Sequence, residues 1–212
     1  MSCSDQFPYQ LYLVISESDC PARNYLDVAE EAIKGGVDIV QLREKKCGQL
    51  VFLEKALKLK KITDKYGVPL IINDDLYVAQ QVNAAGIHVG NHDITPLELR
   101  ERWKTDHKII GYSIEYPEQL TNRQIPVCDY LGISPVFTTK TKTDTVTEWG
   151  IEGIRKIRAL TNKPLIAIGN INLRNIKEVV KAGADAVAVV SAICSAPDPY
   201  KAAYELKNEM IK

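Results

Sequence analysis

The sequence is poor in the features that mark several large classes of protein. Its charge has no excess of either sign, 27 Lys and Arg residues being matched by 27 Asp and Glu residues. A protein whose main business is nucleic acid carries a basic excess or a clustered basic face, so no nucleic-acid partner is expected. No apolar run approaches the length that crosses a bilayer, and Met1–Gln10 lacks the basic, apolar and small-residue order of a secretion signal. No membrane partner is expected either. The five cysteines, Cys3, Cys20, Cys47, Cys128 and Cys194, are scattered without a C-x-x-C pair for zinc or redox work, which fits a reducing cytoplasm. Histidine is scarce: His88 reads as a hydrogen-bonded interior side chain, His92 as a loop residue and His107 as plain surface. Ser16–Ala22 lacks the glycine loop that normally follows the first strand of an open, doubly wound nucleotide-binding sheet.

What the chain does have is alternation. Strand patterns at Gln10–Ser16, Val37–Lys46, Pro69–Asn73, Gly86–Gly90, Lys108–Ser113, Asp129–Val136, Pro164–Ile168 and Asp185–Ser191 are separated by helical ones. The helices read as Tyr25–Lys34, Gln49–Lys65, Leu76–Val82, Pro96–Trp103, Glu118–Asn122, Gly150–Leu160, Leu173–Lys181 and Pro199–Ile211. Strand entries repeat weakly, Lys34–Asp38 (K-G-G-V-D) resembling Lys181–Asp185 (K-A-G-A-D). Eight βα units in 212 residues predict one compact (β/α)₈ TIM barrel over residues 1–212, with the open doubly wound sheet as the competing architecture.

The second strand carries the chemistry. A period of two places Ile39, Gln41, Arg43 and Lys45 on one face and Val40 and Leu42 on the other, and a strand between helices belongs to a covered sheet. A buried Gln and Arg need partners, which makes this face a candidate anion site; the alternative is a solvated strand end with an Arg–Glu pair. In a barrel the other strand ends gather beside it: Asn73, Asp74 and Asp75; Asn91, His92 and Asp93; Ser113 and Glu115; Gly169 and Asn170; Val190 and Ser191. Cations, carboxylates and small donors suit a polyphosphate held with a hard metal ion, and Asp74 and Asp93 would suffice for Mg²⁺. Asn73-Asp74-Asp75 also fits plain N-capping of the following helix. Thr138–Thr147, with six threonines and two lysines, is either a solvated linker or a lid whose hydroxyl and ammonium groups wrap phosphate.

These residues resemble the thiamine-phosphate synthase family. The likeness runs through Q-L-R-E-K (Gln41–Lys45), I-N-D (Ile72–Asp74), G-I-H-V-G-N-H-D (Gly86–Asp93), G-Y-S (Gly111–Ser113), Asp129–Lys142, A-I-G (Ala167–Gly169) and Gly183–Ile193, covering nearly the whole chain. The resemblance implies a (β/α)₈ transferase that joins hydroxymethylpyrimidine diphosphate to thiazole phosphate, through a pyrimidine cation and with Mg²⁺ assisting pyrophosphate departure. It implies that Gln41, Arg43, Lys45 and Asn73 hold the diphosphate, that Asp74 and Asp93 ligate the metal and that Ser113 faces the pyrimidine. Thr139, Thr141 and Lys142 would bind the leaving pyrophosphate or the thiazole phosphate, and Asn170, Val190 and Ser191 would surround that second phosphate. Arg43, Lys45, Ser113 and Lys142 are the expected catalytic set. Homo-oligomers are compatible with all of this.

Three positions depart from the family pattern. Asp75 stands where an Arg is usual, Asn170 where a second Gly is usual, and Glu115 where His is usual. The first and third would put negative charge near the substrates if they face inward. Two alternatives follow: a same-fold thiazole tautomerase, which uses an acid–base His at the position of Glu115, and a non-catalytic paralogue that binds thiamine precursors.

Overall fold

The computed structural model describes residues 7–104, 107–138 and 147–211. Eight parallel strands, β1 (Leu11–Ile15), β2 (Ile39–Leu42), β3 (Leu70–Asn73), β4 (Gly86–Val89), β5 (Ile109–Ile114), β6 (Tyr130–Ile133), β7 (Leu165–Ile168) and β8 (Ala186–Val189), close into a barrel. Closure is direct: β1 pairs with β2 through Tyr12 and Ile39, and with β8 through Tyr12 and Ala188. Around it lie α1 (Tyr25–Lys34), α2 (Gln49–Tyr66), α3 (Leu76–Gln81), α4 (Pro96–Arg102), α5 (Gly150–Leu160), α6 (Ile176–Lys181), α7 (Ser191–Cys194) and α8 (Pro199–Ile211). The (β/α)₈ barrel expected from the alternation is the fold observed.

Helix ends follow local chemistry. The Asn24 side chain caps α1 by accepting from Leu26 N–H at 2.9 Å, Thr95 and Glu98 form a reciprocal capping box on α4, and Gly67 closes α2 in the left-handed region at φ 66°. Two segments differ from expectation. Glu118–Asn122, read as a short α-helix, lies in a 3₁₀ turn over Pro117–Thr121, followed by another over Ile125–Val127. So few residues between Pro117 and Pro126 do not repay the cost of nucleating an α-helix. Conversely, Ser191–Cys194 forms a single helical turn, too short to carry a period in sequence.

The repeated strand entries have a physical meaning. Asp38 Oδ2, just before β2, accepts the N–H groups of Gln10 and Leu11, each at 2.9 Å, and pairs with Lys207. Asp185 Oδ2, just before β8, accepts Leu165 N–H at 2.8 Å and pairs with Arg158 at 2.8 Å. Asp129 repeats the device before β6, taking Ile110 N–H and Arg100. Each Asp ties the start of its strand to the start of the one before, at the end of the barrel that reads as stabilising.

Period two divides the core. Val40, Leu42 and their counterparts pack outward under the helices, whereas Tyr12, Val14, Ile39, Ile71, Tyr130, Ile166, Ala186 and Ala188 fill the barrel interior. Phe7 seals the interior from below, its ring 5.0 Å from that of Tyr130. Space there is tight: a Cβ on Gly111 would stand 2.1 Å from Tyr130 Cζ and 2.5 Å from His88 Nδ1. Gly111→Ala is therefore expected to destabilise the barrel by about 3 kcal/mol through overpacking. Chemical denaturation measures it, and a change within about 0.5 kcal/mol would show that the two rings yield freely.

Candidate active site

The C-terminal strand ends enclose two adjoining cavities. The larger, about 180 Å³, is lined by Gln41, Arg43, Lys45, Asn73, Asp74, His92, Asp93, Ser113 and Glu115 above a floor that includes Tyr12, His88 and Tyr130. The smaller, about 70 Å³, lies between the ends of β7 and β8 and is lined by Gly169, Asn170, Val190 and Ser191. Arg43 lines both. The sequence-derived site residues are thus brought together, except that Thr139, Thr141 and Lys142 lie outside the described residues.

The polar face of β2 is built as its period implies. Gln41 is 5% exposed and looks inward from β2, while Arg43 and Lys45 continue the same face beyond the strand. The competing Arg–Glu pair does not form: Glu44 is taken by Lys55 at 3.1 Å, and Arg43 has no side-chain hydrogen bond or ion pair among the described residues. Asn73 is 6% exposed, faces the larger cavity, and its amide likewise has no described partner. Both side chains line the cavity and keep N–H donors that no described residue uses, so both can hold an acceptor that enters it.

Asn73-Asp74-Asp75 divides its side chains between the cavity, which Asn73 and Asp74 line, and the start of α3, which Asp75 caps. Asp75 caps α3, accepting Val78 N–H at 2.9 Å, and also takes Gln49 Nε2 at 2.8 Å. Its charge turns away from the cavity. Asp74 adopts the left-handed backbone region at φ 62°, uncommon outside glycine, and so presents its carboxylate to the cavity, where it pairs with Lys45. Burial pushes the Asp74 carboxyl up to about 6; the Lys45 ammonium opposes this, and Asp93, within hydrogen-bond range, adds to the rise. Asp93 Oδ2 also accepts Gly90 N–H at 2.8 Å, which fixes the turn after β4. Two facing carboxylates and open cavity are a donor set that suits Mg²⁺, which usually keeps water and substrate phosphate as its other ligands.

Glu115 does face the cavity, steered by a buried amide network. Asn91 Nδ2 donates to it at 2.7 Å, Asn91 Oδ1 accepts Tyr112 Oη at 2.8 Å and Gln119 Nε2 at 2.6 Å, and Gln119 Oε1 accepts Glu115 N–H at 2.7 Å. In the smaller cavity Asn170 holds a left-handed φ of 50°, as Asn tolerates. Gly169 is obligatory there, since a Cβ would meet Pro135 Cβ at 2.7 Å and Val136 N at 2.8 Å. Sequence reading passed over Tyr12 and Tyr130, which form part of the floor. Period two on β1 was the available signal: it puts Tyr12 inward with Val14, and a buried phenol needs a partner.

Fold and site together define a (β/α)₈ barrel whose C-terminal face gathers cationic, carboxylate and amide side chains around two cavities. A model of the thiamine monophosphate synthase family matches residues 11–193, and the chain belongs to that family. A thiamine-phosphate synthase of Albidiferax ferrireducens is 45% identical over 200 residues, covering 94% of this chain and 90% of the relative; one of Shouchella clausii is 40% identical over 203 residues, covering 96% and 97%. The solved thiamine phosphate pyrophosphorylase from Pyrococcus furiosus superposes with a TM-score of 0.85 at 30% identity, covering 97% of each chain. A crystal structure of 3-hexulose-6-phosphate synthase, with a TM-score of 0.67 at 17% identity over 95% of this chain and 99% of that one, shares the fold. Among the described residues no helix is long and apolar enough to cross a membrane.

Proposed function

We propose that this chain is a thiamine-phosphate synthase, a transferase that joins hydroxymethylpyrimidine diphosphate to thiazole phosphate with release of pyrophosphate, working as a single barrel domain on these small molecules. The observation that carries this reading is Arg43, a guanidinium without an ion pair among the described residues that lines both the larger cavity and the smaller one. Two phosphate-bearing substrates must lie side by side for a C–N bond to form between them, and a cation shared by both cavities is what draws them together.

Gln41, Arg43, Lys45 and Asn73 hold the diphosphate in the larger cavity, with the pyrimidine beside Ser113; Asn170, Val190 and Ser191 surround the thiazole phosphate in the smaller one. Asp74 and Asp93 would hold Mg²⁺, which when bound neutralises the diphosphate and favours its departure. The protein's part is positioning and charge: Arg43 and Lys45 stabilise the negative charge that grows on the leaving oxygens, leaving a pyrimidine cation for the thiazole nitrogen to attack. Lys142, Thr139 and Thr141 are assigned to the same anions on sequence alone. No proton donor is needed, in keeping with the scarcity of histidine.

The binding-only alternative loses one of its two supports, because Asp75 is occupied at the start of α3. Purified protein given both substrates and Mg²⁺ is expected to form thiamine phosphate, detected by chromatography. A folded sample that makes none overturns the assignment, and calorimetry with each substrate then tests binding without turnover.

A further inference from the structure

Five side chains from five strands form one hydrogen-bonded row through the barrel at the cavity floor. Gln41 Nε2 donates to Tyr12 Oη at 2.8 Å, Tyr12 Oη lies 2.9 Å from Tyr130 Oη, Tyr130 Oη lies 3.0 Å from His88 Nδ1, and His88 Nε2 lies 2.9 Å from Ser113 Oγ. Both ends of the row, Gln41 and Ser113, line the larger cavity.

Counting protons gives the row a direction. Tyr12 is 1% exposed, and among the described residues its hydroxyl has no partners but Gln41 and Tyr130. Having accepted from Gln41, it must donate to Tyr130 or leave a buried O–H unpaired. Tyr130, also 1% exposed, has then accepted once and gives its own proton to His88 Nδ1. An imidazole that accepts at Nδ1 carries its proton on Nε2, and that N–H donates to Ser113 Oγ. Ser113 is left with its hydroxyl proton for the cavity, and Gln41 with its carbonyl oxygen and the second N–H of its amide, the oxygen for a donor on the ring and the N–H for the diphosphate.

Two further features show that the row is built in. The His88 and Tyr130 rings stack at 5.5 Å between centroids, 17° from parallel, and glycines on β5 and β6 make the room: a Cβ on Gly132 would lie 3.0 Å from His88 Cε1, and Gly111 is more confined still. Burial pushes both phenols above their ordinary range, so both remain the neutral O–H donors that the row requires.

We propose that Tyr12, Tyr130 and His88 are positioning residues that set the direction of the Ser113 hydroxyl, so that the site reads an acceptor nitrogen of a heteroaromatic ring at Ser113 jointly with a donor group at Gln41. The identity of that ring as the substrate's pyrimidine rests on the function proposed above; the direction of the row does not. A ring nitrogen flanked by an exocyclic amine matches it, whereas swapping donor and acceptor would require every proton in the row to move.

The test has two arms, both on the full chain. Nitrogen-15 NMR of labelled histidine is expected to show His88 as the Nε2–H tautomer, with that preference lost in Tyr130→Phe; an Nδ1–H tautomer in the wild type overturns the proposal. Calorimetry then compares hydroxymethylpyrimidine diphosphate with pyrophosphate alone. His88→Leu and Tyr130→Phe should weaken the first by about tenfold and leave the second unchanged, as the loss of one oriented hydrogen bond implies. His88→Gln, which can set an amide N–H where Nε2–H stands, should recover part of the loss. Equal losses for both ligands, or full affinity for the pyrimidine in His88→Leu, overturn the proposal. If Tyr130→Phe does not fold, the His88 pair decides this arm. Wild-type protein that binds pyrophosphate but not the pyrimidine counts against the proposed function, and the tautomer still judges the row.

Discussion

Arg43→Ala is expected to lower turnover by about a hundredfold while leaving the melting temperature close to that of the wild type. A charge-assisted contact is worth about 1.5–3 kcal/mol, and Arg43, facing both cavities, stands at the upper end of that range; 3 kcal/mol taken from the transition state is about two powers of ten in rate. Stability should move by less than about 0.5 kcal/mol, because among the described residues no ion pair or side-chain hydrogen bond is lost with the guanidinium. Arg43→Lys keeps the charge but not the planar fork that grips two oxygens at once, so its turnover should fall between the other two. Steady-state kinetics with a melting curve for each variant checks this. Wild-type turnover in Arg43→Ala would remove β2 from the anion site.

The second large effect is expected at Asp93, where the choice of substituent matters. Asp93→Asn takes away one of the two facing carboxylates but keeps an oxygen for Gly90 N–H, so the turn after β4 should survive. Turnover at limiting Mg²⁺ should drop by about a hundredfold or more, since a metal ion on a departing pyrophosphate supplies several kcal/mol. Asp93→Ala should lose the same activity and, in addition, about 1 kcal/mol of stability, because Gly90 N–H is orphaned. Rates titrated against Mg²⁺, with denaturation curves beside them, separate the two roles. An unaltered Mg²⁺ profile in Asp93→Asn would contradict the ligand assignment.

Much of the site was legible because strand geometry is local. Once Val37–Lys46 is read as a strand, period two alone puts Gln41, Arg43 and Lys45 on one face, and the structure finds them lining one cavity. The same rule applied at eight strand ends brought Asn73, Asp74, Asp93 and Ser113 to one rim, since a closed ring of parallel strands exposes every C-terminal end on the same side. Departures from the family pattern were less legible. Asp75 and Glu115 add the same charge to the sequence, yet one is drawn off by Val78 N–H and Gln49 while the other is held toward the cavity by Asn91. Position along the chain says which loop a side chain occupies, not which of several nearby donors captures it.

What the sequence by itself determined, then, is the repeating unit, the closed barrel and the face each strand residue occupies, because these follow from short-range periodicity and from the connections parallel strands allow. Only the tertiary structure decided the partners. Lys55 on α2 takes Glu44 and so leaves Arg43 open to both cavities, and Tyr12 meets Tyr130 across 118 positions of chain. Such pairings depend on ångström-scale distances between side chains from different strands. Those distances are set by how the barrel closes and by where glycines such as Gly111 leave room, and no window of neighbouring residues contains them.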